Sequence, residues 1–160
     1  VHNQLGGSRR TTLRSQYATQ RMTPVRLAIA RLLQQPSIAR EARKVADEWR
    51  TLDRPGVGLL AQLLDSIADC PQISSGALIE RWRDSEVAIH LQKLADPSLL
   101  PAISEDGQAV EFLGALETLN KEARKTEGER LYRRTSPSQL DEEEKQRLRG
   151  LFSVARQDDA

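Results

Sequence analysis

Residues 23–37 read Thr-Pro-Val-Arg-Leu-Ala-Ile-Ala-Arg-Leu-Leu-Gln-Gln-Pro-Ser, a helix with both ends written into it. A threonine at the N-cap can accept a hydrogen bond from the free amides of the first turn, and Pro24 sits where its missing N–H costs nothing. Val25, Ala28, Ile29, Leu32 and Leu33 recur at helical spacing and fall on one face. Pro36 stops the helix and Ser37 can cap the next one.

Working outward, the pattern repeats. A second helix is expected from Ser37 to about Thr51, with Ile38, Ala42, Val45, Ala46 and Trp49 inward, broken by Arg54-Pro55-Gly56. A third carries Leu59, Leu60, Leu63, Leu64 and Ile67 and ends at Pro71. Ser74 or Ser75 caps a fourth, with Leu78, Ile79 and Trp82 inward; Ser85 caps a fifth, with Val87, Ala88, Leu91 and Leu94 inward. Nothing has the period of two or the β-branched runs that strands need. The fold class is therefore all-α: a compact bundle of about five short helices, then a long helix and a C-terminal helical hairpin.

The long helix is expected from Ser104 to about Arg134, with Ala109, Val110, Phe112, Leu113, Leu116 and Leu119 on its apolar face. From Lys121 to Arg130 only Ala123 is apolar, and Gly128 weakens the helix by about 1 kcal/mol relative to alanine. Such a helix must leave the bundle after Asn120. A turn at Thr135-Ser136-Pro137-Ser138 leads to a last helix, where Asp141 and Glu144 have capping-box spacing and the acidic turn suits the helix dipole. The pair has few large apolar residues to share, namely Leu131, Tyr132, Leu140, Leu148, Leu151 and Phe152. A hairpin this small leaves part of that surface open for another protein's groove. Three regions follow: a flexible basic linker at 1–20, a helical bundle at 21–105, and the long helix with its hairpin at 106–160.

Composition narrows the function classes. The chain has 160 residues, 38% hydrophobic, 4% aromatic and 29% charged, with a net charge of +1. That gives no global argument for nucleic acid, although the first forty residues hold seven arginines and no acid. The single cysteine, Cys70, excludes an internal disulfide and a cysteine-rich zinc site. No apolar run approaches membrane-spanning length and no signal peptide is visible, so a cytoplasmic protein without a membrane partner is expected. A start at Val1 is consistent with a fragment of something larger. There is no phosphate-binding glycine loop and no metal-ligand spacing; no catalytic residue, metal or cofactor is expected. His90 reads as a surface histidine, and Asp141 to Glu144 as a cap and solvated face rather than a magnesium site.

The ordered series Thr23-Pro24-Val25-Arg26, Pro55-Gly56-Val57-Gly58-Leu59-Leu60, Leu78-Ile79-Glu80-Arg81-Trp82-Arg83 and His90-Leu91-Gln92-Lys93-Leu94, followed by a long helix and charged hairpin, resembles a known family. It is similar, over residues 21–157, to the C-terminal helicase-binding domain of bacterial replicative primase, the DnaG type. Related sequences tend to be broken by proline where a continuous helix is expected here from Ser37 to Thr51, and Gly150 and Ser153 weaken the last apolar face.

The resemblance implies a monomeric adaptor at the replication fork, in the nucleoid, that docks on the N-terminal domains of the hexameric replicative helicase. It holds the primase there for primer synthesis and modulates the helicase. On the last helix Leu148, Arg149, Leu151, Phe152, Ala155 and Arg156 are the candidate docking residues. The family also implies binding of the acidic C-terminal tail of the single-stranded-DNA-binding protein. Such a tail needs cations beside a small apolar pocket, and Arg21, Arg26 and Lys93, with Val25, Ile29 and Leu94, are the candidates.

Direct nucleic-acid binding is expected to be weak or absent, because only Tyr17 accompanies the arginines of the arm. The rivals are a basic helical nucleic-acid module and, less supported by the residues, a small helical enzyme.

Overall fold

The computed structural model describes residues 22–134 and 141–157, with side chains through 153 in the second stretch. The expected linker at 1–20, the turn at 135–138 and Leu140 lie outside the described residues. Helix α1 is Pro24–Gln34, followed by two 3-10 helices at Pro36–Lys44 and Glu48–Thr51. Then come α2 (Val57–Asp69), α3 (Ser75–Glu80), α4 (Ala88–Ala95), α5 (Glu105–Arg134) and α6 (Glu142–Gln157). No described residue lies in a strand, and none of the described helices is long and apolar enough to cross a membrane.

Helix α1 is capped as its sequence demands: Thr23 Oγ1 accepts from the Arg26 amide at 3.3 Å. Its burial exceeds the single face expected. Val25 and every residue from Ala28 to Leu33 are buried, so the helix is covered nearly all round. The covering elements are α5 most extensively, then α4, the first 3-10 helix, α2 and α3. Helix α2 begins at Gly56, whose φ of 88° is left-handed and whose Cβ, if present, would lie 2.9 Å from Val25 Cγ1. Only glycine fits both the turn and the close approach.

The continuous helix expected over Ser37–Thr51 is not formed. Two short 3-10 helices replace it, separated by Val45 in extended conformation. The cause lies 74 residues away: Asn120, 2% exposed, donates from Nδ2 to the Ala46 carbonyl and accepts at Oδ1 from the Trp49 amide, both at 2.8 Å. An amide that satisfies a backbone carbonyl and N–H removes the need for helical partners there. Ala46 is consequently exposed, whereas Trp49 is fully buried.

Three smaller expectations also change. Ser74 caps α3 through the Ala77 amide at 3.2 Å, but Ser85 caps nothing. Its hydroxyl donates to the Trp82 carbonyl at 2.6 Å, and α4 starts only at Ala88. Val110 is 70% exposed, outside the buried stripe of α5 formed by Phe112, Ala115, Leu116, Leu119 and Ala123. The long helix also leaves the bundle later than Asn120. Glu122 pairs with Arg54, Ala123 joins the core, and Arg124 Nε lies 2.6 Å from Glu48 Oε2.

Arg31 was legible as a helix cation but not as a core residue. It is 1% exposed, and its guanidinium is fully engaged: Nε donates to Glu111 at 2.6 Å, one terminal nitrogen to Gln34 Oε1 at 3.0 Å and the other to the Pro101 carbonyl at 3.2 Å. This joins α1, α5 and the segment that precedes α5.

Candidate protein-docking site

Beyond Arg124, the element among the described residues that packs on α5 is α6. The capping box at its start is formed: the Glu144 amide donates to Asp141 Oδ1 at 2.8 Å, and the Asp141 amide to Glu144 Oε2 at 3.3 Å. Phe152 lies over Gly128, its Cζ 3.9 Å from where a glycine Cβ would stand. With α5 ending at Arg134 and α6 starting at Glu142, a contact from Phe152 back to Gly128 makes the pair antiparallel. Gly128, expected only to weaken α5, is a buried seat for the ring.

The six candidate docking residues therefore separate. Leu148 is 8% exposed, turned into the hairpin. Leu151 is half-buried and Arg149 exposed. Phe152 covers Gly128 with part of its ring and remains 51% exposed. The side chains of Ala155 and Arg156 lie outside the described residues. Tyr132, counted in the sequence among the apolar residues the two helices share but not among the docking candidates, is 60% exposed at the outer end of α5. Its signal was available, since an aromatic in a nearly all-polar helix segment has little core to enter.

Charge organises the same surface. Arg130 grips Glu127 with two hydrogen bonds of 2.9 and 2.7 Å. That contact is the main reason the Glu127 carboxyl stays below its ordinary range; desolvation opposes it, and the charges of Arg130, Arg134 and Arg147 add lesser pulls in the lowering direction. The same pairing raises Arg130.

The second candidate set lies on α1 and α4. Arg26 and Lys93 are exposed, and α1 packs on α4, so the helices that carry them are neighbours. Val25, Ile29 and Leu94 are 4%, 2% and 7% exposed. They belong to the core, with Val25 and Ile29 facing Gly56, rather than standing open at the surface. The exposed apolar residue beside Lys93 is Ile89, one helical turn back and 64% exposed. Arg21 lies outside the described residues. Among the described residues no cluster of histidine, cysteine or acidic side chains could hold a metal ion.

An all-helical body that projects a hairpin with its aromatic residues in solvent has the architecture of a docking domain. The comparisons with known proteins identify which kind. The sequence profile of the DNA primase DnaG DnaB-binding family matches residues 25–151, and the chain belongs to that family. Its fold is similar to the crystal structure of the DnaG primase C-terminal domain from Vibrio cholerae. The TM-score is 0.64 and the identity 32%, over 81% of this chain and 96% of that one. Among curated proteins it is 31% identical over 133 residues to a DNA primase of Pseudomonas putida. It is also 37% identical over 73 residues to that of Pasteurella multocida. The matches cover 81% and 46% of this chain but only 19% and 12% of those primases, so the chain spans a small part of their length.

Proposed function

We propose that this chain is the adaptor by which a DNA primase docks on the hexameric replicative helicase, and that the α5–α6 hairpin is the docking element. Membership of a DnaB-binding family supports the partner. The observation that carries the site is the hairpin's exposed aromatic surface: Phe152 half out of its seat on Gly128, with Tyr132 on the facing helix. Apolar and aromatic anchors of this kind concentrate binding energy in a few positions. Docking holds the primase at the fork, where primers are made, and modulates the helicase.

The test is titration of the full chain onto the helicase N-terminal region. Phe152→Ala should weaken binding by about 2 kcal/mol while helix content by circular dichroism is unchanged. Leu148→Ala is the control that acts through the hairpin itself: it should lower helix content along with affinity. Normal binding by Phe152→Ala and Tyr132→Ala together would move the docking surface off the hairpin.

A second, separate reading is favoured by Ile89 and Lys93. An exposed isoleucine one turn from an exposed lysine, on a helix packed beside the one that carries Arg26, offers an apolar contact and cations together. That suits the acidic, apolar-ended tail of the single-stranded-DNA-binding protein. Lys93→Glu and Ile89→Asp should each weaken a tail peptide in fluorescence polarisation and leave helicase binding intact.

A further inference from the structure

The hairpin carries more positive charge at one place than its own folding uses. On α5, Glu127, Arg130 and Arg134 stand at three- and four-residue intervals, one face of the helix. From α6, Arg147 reaches the same neighbourhood, immediately before the buried Leu148 that holds the two helices together. Arg130 contacts the Glu127 carboxylate, and Arg134 and Arg147 act on it through their charge. Arg130 occupies both of its oxygens. Arg134 and Arg147 are exposed and, among the described residues, make no hydrogen bond or ion pair. An exposed guanidinium without an acceptor presents a planar fork that matches carboxylates or phosphates.

The surroundings choose between those two acceptors. From Lys125 to Ser153 the described residues bring seven cations and six acids, so the hairpin as a whole has no field to attract a polyanion. Asp141 to Glu144 place four of those acids at the start of α6. A phosphate backbone tracking along the hairpin would meet them. A folded protein surface with two or three carboxylates at one spot would not.

We propose that Arg134 and Arg147 form an acid-recognising edge of the docking surface, taking carboxylates of the helicase that flank the groove receiving Phe152. This rests on the helicase reading above and adds the chemistry of the partner's contact. The apolar anchor sets most of the affinity, while the arginine pair sets register and the rate of encounter. Binding is therefore salt-sensitive although the chain is nearly neutral.

The experiment titrates the full chain onto the replicative helicase hexamer at a low and a high salt concentration. Wild-type affinity should fall as salt rises. Arg134→Glu with Arg147→Glu should weaken binding at low salt by about tenfold or more and flatten the salt dependence. Arg134→Gln with Arg147→Gln keeps the shape without the charge; it serves if reversal unravels the hairpin, and should flatten the salt dependence too. Phe152→Ala should weaken binding at both salts and keep the slope. A glutamine pair that binds as the wild type does, or wild-type binding indifferent to salt, overturns the inference and leaves hairpin docking standing. Tight, salt-steep binding of a single-stranded oligonucleotide that the glutamine pair abolishes also overturns it, because the acceptor is then phosphate. Failure of the wild type to bind the helicase at all defeats the helicase reading itself.

Discussion

Arg31 and Glu111 exemplify a contact that no single helix can reveal. On a helical wheel Arg31 borders the apolar stripe of α1, and it reads as one more cation of an arginine-rich stretch. Its burial depends on Glu111, 80 residues away, and on the Pro101 carbonyl. A buried guanidinium deprived of its carboxylate is an uncompensated charge. Glu111→Leu should therefore lower the unfolding free energy by about 3 kcal/mol, measured by urea denaturation. The double variant Arg31→Met, Glu111→Leu should recover most of that loss. Asn120 follows the same logic with neutral groups: Asn120→Ala leaves the Trp49 amide and the Ala46 carbonyl without their partner and should cost at least about 2 kcal/mol. Neither residue was legible as a core group, since sequence patterning registers apolar periodicity and both are polar. The apolar residues of the elements they join, Leu32, Leu33, Trp49, Leu116 and Leu119, were legible, and all are buried.

At the level of elements, most local capping signals held; Ser37 and Ser85 did not, their hydroxyls going to Glu105 and to the Trp82 carbonyl. Thr23, Ser74 and the Asp141–Glu144 box all cap their helices as their spacing indicates. The stretch from Ser37 to Thr51 did not, because its backbone is satisfied by a side chain of α5 rather than by its own turns. The hairpin was legible in outline, from the shortage of apolar residues after Asn120. Its register was not, because Gly128 looks like a defect until Phe152 is seen to rest on it. The 3.9 Å separation there is ordinary contact distance, so a methyl group fits. Gly128→Ala should stabilise α5 by about 1 kcal/mol and keep the ring in place, seen as a higher melting temperature with unchanged helicase affinity. Asp141→Ala should act in the opposite direction, fraying α6 at a cost of about 1 kcal/mol and lowering the helical signal.

Across the whole molecule, the contiguous core draws on every element from α1 to the middle of α5 and closes at Ala123. Helix α6 contributes nothing to it. Removing residues 136–160 should leave a cooperative melt close to that of the full chain, while helicase binding is lost. A truncated chain that melts broadly would refute this division of labour. Helix α5 nevertheless runs unbroken through both parts, from Glu105 to Arg134. Ten of its residues, 125 to 134, extend past Arg124, which pairs with Glu48 of the bundle. A segment of that length and polarity, on its own in water, does not overcome the cost of its first turn, since free helices shorter than about 12–15 residues are marginal. Here that turn already exists. The bundle serves as the nucleus, and the outer part of α5 grows from it by propagation alone, giving α6 a template to fold against. The proposed docking face is thus an extension of the core's helical order: a peptide spanning 125–157 should be largely unstructured by circular dichroism, whereas 125–134 and 142–157 attached to the bundle are helical.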